Sequence, residues 1–276
     1  MGLFDAFRYD GKRALVVGGA TGMGAATAEV VLDAGAEVIV MDFAEIALAG
    51  VTPVHVNLGE RESIDAAIDA LPGPVDALFS CAGVADGTPG IERINFIGHR
   101  YLVDRLLERD LLPAGSSIGM ISSAAGLGWE SNLEQLNELL DTTDWDAAVE
   151  WVLQNGKADY LSMKQAMCAY VAREAYPLLK KGVRINAICP GPTDTPLAQA
   201  NAETWLGFGA DYRADIGLEP STPLEQALPL VFLCSAAAVA ITGQTVISDA
   251  GYISAGVTNA FPEAKMAAEF LLGRLG

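Results

Sequence analysis

Short runs of β-branched and other apolar residues alternate along the chain with stretches whose apolar positions recur every three or four residues. Ala14-Leu15-Val16-Val17 reads as a buried strand, and Met23, Thr27, Val30 and Val31 follow at helical spacing, with Gly35 placed to end the helix. Val38 to Met41 forms a second strand and Val54-His55-Val56 a third. Ile64, Ala67, Ile68 and Leu71 then mark one face of a helix stopped by Pro72-Gly73. Val75 to Phe79, Ile118 to Ile121, Val183 to Ile188 and Thr245 to Ile247 continue the strands, with helical segments near 91–109, 158–180 and 223–235. The last of these opens on the capping box Thr222-Pro223-Leu224-Glu225, with proline at the first helical position. Strands that are apolar throughout, rather than on alternate residues, are covered on both faces. The pattern therefore predicts an α/β fold, a doubly wound and mostly parallel sheet of seven strands with helices on both faces. No linker or internal repeat divides it, so residues 1–276 read as one domain.

Composition narrows the partners. Of 276 residues 51% are hydrophobic and 19% charged, which excludes a disordered chain and supplies one large core. Basic side chains number 17 and acidic ones 35, a formal net charge of −18 that argues against nucleic acid and an anionic membrane surface. The opening Met1-Gly2-Leu3-Phe4-Asp5-Ala6 has an early acid and no basic, then apolar, leader, and no run approaches the roughly 18 apolar residues of a membrane span. A cytoplasmic protein is expected. Cys81, Cys168, Cys189 and Cys234 are far apart in sequence, lack metal-ligand spacing, and have only His55 and His99 to join them. They read as reduced, mostly buried thiols, without disulfide or metal.

Directly after the first strand comes Gly18-Gly19-Ala20-Thr21-Gly22-Met23-Gly24, at the opening of a helix. A pyrophosphate needs a side-chain-free turn there, so that backbone N–H groups and the positive end of the helix can approach it. A tight strand–helix turn without ligand would use the same glycines, but their place after the first strand of a βαβ unit favours a Rossmann-type dinucleotide site. Asp42 ends the second strand about 20 residues further on, where an acid can accept hydrogen bonds from an adenosine ribose diol. The glycine turn offers Thr21 and the residue after Asp42 is Phe43, so neither brings a base for a 2′-phosphate. NAD is the expected cofactor rather than NADP.

Tyr160-Leu161-Ser162-Met163-Lys164 lies in a predicted helix, where spacing of four puts the phenol and the ammonium on one face. A free tyrosine has a pKa near 10, and bringing it to neutrality takes roughly 4 kcal/mol. One ammonium at about 4 Å in an effective dielectric near 20 supplies about that much. Such pairs also occur by chance on many helices. Here, however, Ile118 to Ile121 runs into Ser122-Ser123-Ala124-Ala125-Gly126, hydroxyls at the carboxyl edge of the sheet where open α/β proteins bind ligands. Asn95 also sits within the apolar Ile94-Asn95-Phe96-Ile97-Gly98, either as a structural hydrogen-bond hub or as part of a proton relay.

In these motifs and their order, over nearly all of residues 10–252, the chain resembles a short-chain dehydrogenase/reductase. The resemblance implies Asn95, Ser123 (rather than Ser122), Tyr160 and Lys164 as the catalytic set. It implies cofactor contacts at Gly18, Thr21, Gly22, Met23, Gly24, Asp42, Asn57, Leu58, Cys81-Ala82-Gly83, Tyr160 and Lys164, and in the segment of Pro190, Gly191, Thr193 and Thr195 that cradles a nicotinamide. Val17, Asn57 and Ala250 depart from the usual family residues without touching the catalytic set. The implied reaction is reversible hydride transfer between NAD and a secondary alcohol or ketone, with a hydrophobic steroid, terpenoid or aromatic alcohol favoured. Substrate would lie against Ser123, Tyr160, Trp205 and Phe208, the last two in a glycine-containing lid over 196–222 with Tyr212. A catalytically silent NAD sensor and an S-adenosylmethionine methyltransferase are the alternatives, neither of which needs the four catalytic positions together.

Residues 124–159 are far longer than the usual family segment, and such insertions occur in the bacterial branch of hydroxysteroid dehydrogenase/carbonyl reductases and coniferyl alcohol dehydrogenases. Ser131-Asn132-Leu133-Glu134 and Thr143-Asp144-Trp145-Asp146 read as capping boxes of a helical hairpin that walls the substrate pocket or packs on a neighbouring subunit. The family implies a homodimer or homotetramer built on the helices at 91–109 and 158–180. In the 252–276 tail, Met266, Ala267, Phe270 and Leu271 form an apolar stripe expected to dock on its own or a partner subunit.

Overall fold

In the computed structural model, which describes residues 2–274, seven strands form one sheet: β1 (Arg13–Val17), β2 (Glu37–Asp42), β3 (Thr52–His55), β4 (Ala77–Ser80), β5 (Ser117–Ile121), β6 (Arg184–Pro190) and β7 (Thr245–Ser248). Their order is β3-β2-β1-β4-β5-β6-β7 and every pairing is parallel. The helices are α1 (Gly22–Asp33), α2 (Arg61–Asp69), α3 (Gly98–Glu108), α4 (Leu133–Asp141), α5 (Trp145–Gln154) and α6 (Tyr160–Lys180). They continue as α7 (Pro196–Gln199), α8 (Ala202–Trp205), α9 (Ala210–Ile216), α10 (Pro223–Cys234), α11 (Tyr252–Val257) and α12 (Lys265–Leu271). Neighbouring residues of a strand point to opposite faces, and here both faces are buried. Leu15, Val17, Ile39 and Leu78 join the core under α2, α3 and α6, while Ala14, Val16, Val38 and Phe79 join that under α1 and α10. The strand order reverses between β1 and β4, and the carboxyl ends of these two strands open the crevice where such sheets bind ligands.

The two edges differ from the buried strands the pattern suggests. β3 starts at Thr52 rather than Val54, and only Val54 is part-buried; Pro53, lacking an N–H, is tolerated on such an edge. β7 leaves Val246 and Ile247 more than a third exposed. The helix expected over 91–109 begins with a wider turn, Arg93–Ile97, in which the Gly98 N–H reaches back five residues to Arg93 O. Wide turns of this kind concentrate at functional sites, and Asn95 lies in this one.

The capping box at Thr222 forms as expected, with the Glu225 carboxylate accepting the Thr222 N–H at 2.7 Å. Neither box of the insertion does. Ser131 falls in a tight turn before α4, and its hydroxyl donates to Gly273 O at 3.1 Å. Asp144, not Thr143, caps α5 by accepting the Ala147 N–H at 3.0 Å. The hairpin itself is real: Leu136, Leu139, Trp145, Ala148 and Val152 enter the core with α3 and α6. Arg100 donates to Leu139 O at 3.2 Å, Arg173 pairs with Asp141 at 2.6 Å, and Trp145 meets Tyr101 edge-on at 5.5 Å. Part of the α3 and α6 surface expected to meet another subunit is therefore taken by the chain's own insertion.

The tail docks on its own chain as far as residue 274, residues 275 and 276 lying outside the described range. Its buried face is not the expected stripe. Ala264 and Ala268 are buried with Leu127, Tyr252 and Ile253, Ala267 and Leu271 pack against them, and Met266 and Phe270 are 73% and 58% exposed. Small alanines let α12 come close to α11, and that close approach turns the larger side chains outward.

Candidate active site

The glycine turn is shaped by close backbone approach. Gly18 holds φ +82°, and a Cβ on it would collide with Ala82, while one on Gly24 would collide with Gly18 O. Thr21 precedes α1 without a side-chain cap, leaving the first N–H groups of the helix free for an anion. Asp42 accepts the Ala20 N–H at 2.8 Å on one oxygen and the Ala44 N–H at 2.9 Å on the other. It thus ties the turn to the end of β2 and still has lone pairs to offer a diol. A cleft of about 680 Å³ runs over this turn, with Gly18, Thr21, Gly22, Met23, Gly24 and Asp42 on its wall. Asn57, Leu58, Cys81, Ala82 and Gly83, all expected there, line it too. A side-chain-free cradle at a helix N-terminus, with an acid at the neighbouring strand end, fits a dinucleotide. Arg93 was not expected in this cleft; its Nε lies 3.3 Å from the Glu92 carboxylate, which counters its charge.

A second cavity of about 260 Å³ adjoins the first and shares Met23, Cys81, Gly83, Thr195 and Leu197 with it. Ser123, Tyr160 and Lys164 line it, as do Pro190, Gly191, Thr193, Trp205 and Phe208. Ser123 accepts the Ala125 N–H at 3.1 Å, which fixes its side chain at the end of β5. Ser122, by contrast, spends its hydroxyl donating to Lys164 O at 2.9 Å and accepting from Cys168 Sγ at 3.2 Å. Tyr160 is the first residue of α6, and its ring lies 4.9 Å from that of Trp205. Two carboxylates hold this helix start: Asp159 accepts the Ser162 N–H at 2.8 Å and Asp86 the Tyr160 N–H at 2.6 Å. Asp86 comes from the loop after β4, so no spacing pattern could have paired it with Tyr160.

Electrostatics at the pair run against the expectation. Burial raises the Tyr160 phenol, Ser123 pulls it back down, and the Asp86 charge pushes it up again. Lys164 does not bring it down: burial pushes its own ammonium down to about 8, and Nζ donates to Ile121 O at 2.9 Å, 5.5 Å from the tyrosine ring centroid. Desolvation outweighs a cation whose own charge is expensive to keep.

Asn95 enters neither cavity. Its amide accepts the Val84 N–H at 2.8 Å and donates to Val84 O at 2.9 Å, making it a hub that pins the loop beside Gly83. One turn later His99, unremarked in the catalytic reading, contacts Ala82 O at 3.1 Å through Nε2, and burial pushes it down to about 4, so it is neutral. Tyr212 also misses the pocket, packing edge-on against Tyr252 and Phe261. Of the insertion only its root, Ala124 and Ala125, touches the cavity; the hairpin does not wall it. Leu271 of α12 does, which sequence reasoning placed in a docking stripe only. Cys168 and Cys189, distant in sequence, meet at 3.7 Å between their sulfurs because α6 packs on β6, and both are free thiols. Among the described residues no helix is long and apolar enough to cross a membrane.

Fold and paired cavities define a doubly wound α/β protein with a dinucleotide-type cleft opening onto a second, smaller pocket. The chain belongs to the short-chain dehydrogenase/reductase family. Residues 144–253 match the family described as Enoyl-(Acyl carrier protein) reductase. Over 252 residues the chain is 31% identical to coniferyl-alcohol dehydrogenase of Pseudomonas sp. (strain HR199 / DSM 7063), covering 88% of this chain and 97% of that one. It is 29% identical to 3-alpha-hydroxysteroid dehydrogenase/carbonyl reductase of Comamonas testosteroni, covering 86% and 95%. The 3-alpha-hydroxysteroid dehydrogenase of Pseudomonas sp. B-0831, solved with NADH, superposes with a TM-score of 0.71 at 27% identity, covering 90% and 99%. Family membership removes the methyltransferase alternative.

Proposed function

We propose that this chain is an NAD-dependent dehydrogenase of hydrophobic secondary alcohols and the corresponding ketones. One observation carries the reading: Ser123 and Tyr160 share a largely apolar pocket that opens through Met23, Cys81, Gly83 and Thr195 onto the cleft built by the glycine turn. Asp42 favours NAD, because a carboxylate at the ribose end repels a 2′-phosphate. Aside from Lys164, which lies against the backbone, the pocket wall has no charged side chain, which disfavours an anionic substrate. The two similar dehydrogenases above are named for an aromatic primary alcohol and for a hydroxysteroid, a secondary alcohol on a largely apolar skeleton.

The residues of the cleft would hold a dinucleotide whose nicotinamide would supply the hydride acceptor or donor. In the oxidative direction Tyr160 takes the hydroxyl proton of the alcohol, and Ser123 donates to its oxygen and stabilises charge developing there. Lys164, fixed by Ile121 O, would hold the nicotinamide ribose, and Asn95 would act through the Val84 loop. Burial favours the neutral phenol, so the oxidative rate should climb as pH rises through the Tyr160 pKa. The four free thiols, including two in contact, suit a reducing cytoplasm.

The test is a panel of steroid, terpenoid and benzylic alcohols assayed with NAD and with NADP, alongside Tyr160→Phe. Turnover preferring NAD, lost by about 10³-fold in the variant while NADH still binds, is expected. Wild-type activity in Tyr160→Phe would sink the assignment, and NADH binding with no turnover of any alcohol would favour the silent sensor.

A further inference from the structure

Leu271 reaches the pocket from a helix whose placement owes nothing to the catalytic residues. α12 lies so close to α11 that a Cβ on Gly256 would stand 2.7 Å from both Ala264 O and Ala268 Cβ. On its other side, a Cβ on Gly128 would stand 2.7 Å from Leu271 O and from Gly273 N. Ser131, in the tight turn that follows Gly128, donates to Gly273 O at 3.1 Å. The chain before Leu271 is therefore held against α11 and the backbone from Leu271 to Gly273 against Gly128 and Ser131, while Leu271 lines the cavity with Trp205 and Phe208. A side chain held in this way excludes atoms rather than yielding to them, since packed walls deform little.

We infer that Leu271 is a specificity-determining residue: from the C-terminal helix of the same chain it closes the substrate pocket and sets how bulky an apolar alcohol or ketone fits beside Ser123 and Tyr160. The inference rests on reading that pocket as the substrate site. Leucine offers no hydrogen bond, so it selects by size and polarity. A misfit of one methylene in an apolar pocket is worth about 10-fold or more in discrimination, and a charged or strongly polar group placed against it would lose hydration without compensation.

Leu271→Ala opens the wall and Leu271→Trp thickens it, while Phe270→Ala removes an exposed neighbour on the same helix and serves as control. Two readouts are taken: the ratio of kcat/KM for 2-decalol over cyclohexanol with NAD, and the ratio of calorimetric Kd values for cyclohexanone over 2-decalone with NADH-loaded protein. Leu271→Ala should raise both ratios about 10-fold, Leu271→Trp should lower them by a similar factor, and Phe270→Ala should leave them within twofold of wild type. Unchanged ratios in Leu271→Ala overturn the inference, whether or not the tryptophan variant folds. If no alcohol is turned over, the dehydrogenase reading fails and the Kd ratio alone decides the role of Leu271. Failure of both ketones to bind wild type and Leu271→Ala overturns it as well.

Discussion

A buried ammonium with a single hydrogen-bond partner is costly to fold, and Lys164 is one: 3% exposed, with Ile121 O as its partner. Its pKa falls from the ordinary 10.5 to about 8 through desolvation. Between about 8 and 10.5 the unfolded chain keeps the proton that the folded chain has released, so Lys164 makes stability rise with pH across that window; below it the whole cost is present. Lys164→Met should therefore stabilise the cofactor-free protein at pH 7 by about 1–3 kcal/mol, flatten the slope between pH 8 and 10.5, and lose turnover. Thermal melts at pH 7 and pH 10 test this, and a lower midpoint for the variant at pH 7 would contradict it. Tyr160, Lys164, Ser123 and the glycines were legible in sequence because each announces itself by spacing within one element or one strand–helix junction. Asp86, His99 and Leu271 were not, since each acquires its role only where distant segments meet. Nor was the direction of the Tyr160 shift, because spacing gives a distance between charges but not the burial that opposes them.

At the scale of elements, the insertion does not wall the pocket, while the tail docks on its own chain as expected and also reaches the pocket. The hairpin of α4 and α5 buries its leucines in the main core and stays away from the pocket, whereas the shorter α12 lines it. Leu139 is fully buried, so Leu139→Ala should cost about 2–5 kcal/mol in a denaturant titration, with KM for any accepted alcohol unchanged within twofold. A large KM change at 25 °C, with the protein still folded, would show that the hairpin shapes the site after all. Both hairpin helices were legible because their apolar period is local. Their caps slipped because Asp144 competes with Thr143 for the same N–H groups, and Ser131 is drawn instead to Gly273. The stripe on α12 was misread by treating Met266 and Phe270 as anchors. Helix-to-helix contact here is made by alanine, and close backbone approach is invisible to a hydrophobicity count.

For the whole molecule, strand count, order of elements and two-sided burial of the five inner strands followed from the apolar runs, and they position the crevice at the reversal between β1 and β4. Assembly did not follow in the same way, because the insertion covers part of α3 and α6. The remaining apolar surface includes Val246 and Ile247 on the β7 edge and Leu224 and Leu228 on α10, which is tied to β7 by Gln226 donating to Ser248 O at 3.1 Å. An open edge beside exposed leucines is suited to a two-fold contact with a second copy. Light scattering should give a multiple of 28.9 kDa, reduced by the pair Leu228→Asp and Ile247→Asp; a wild-type mass of 28.9 kDa would refute assembly. The clamp on Leu271 also has a consequence in time. A ribosome translates the glycine turn, Asn95, Ser123, Tyr160 and Lys164 well before Leu271, by on the order of ten seconds at about 5–20 residues per second. On the reading proposed above, a nascent chain passes through a stage in which Ser123 and Tyr160 exist and the pocket lacks Leu271, so its selectivity is completed last.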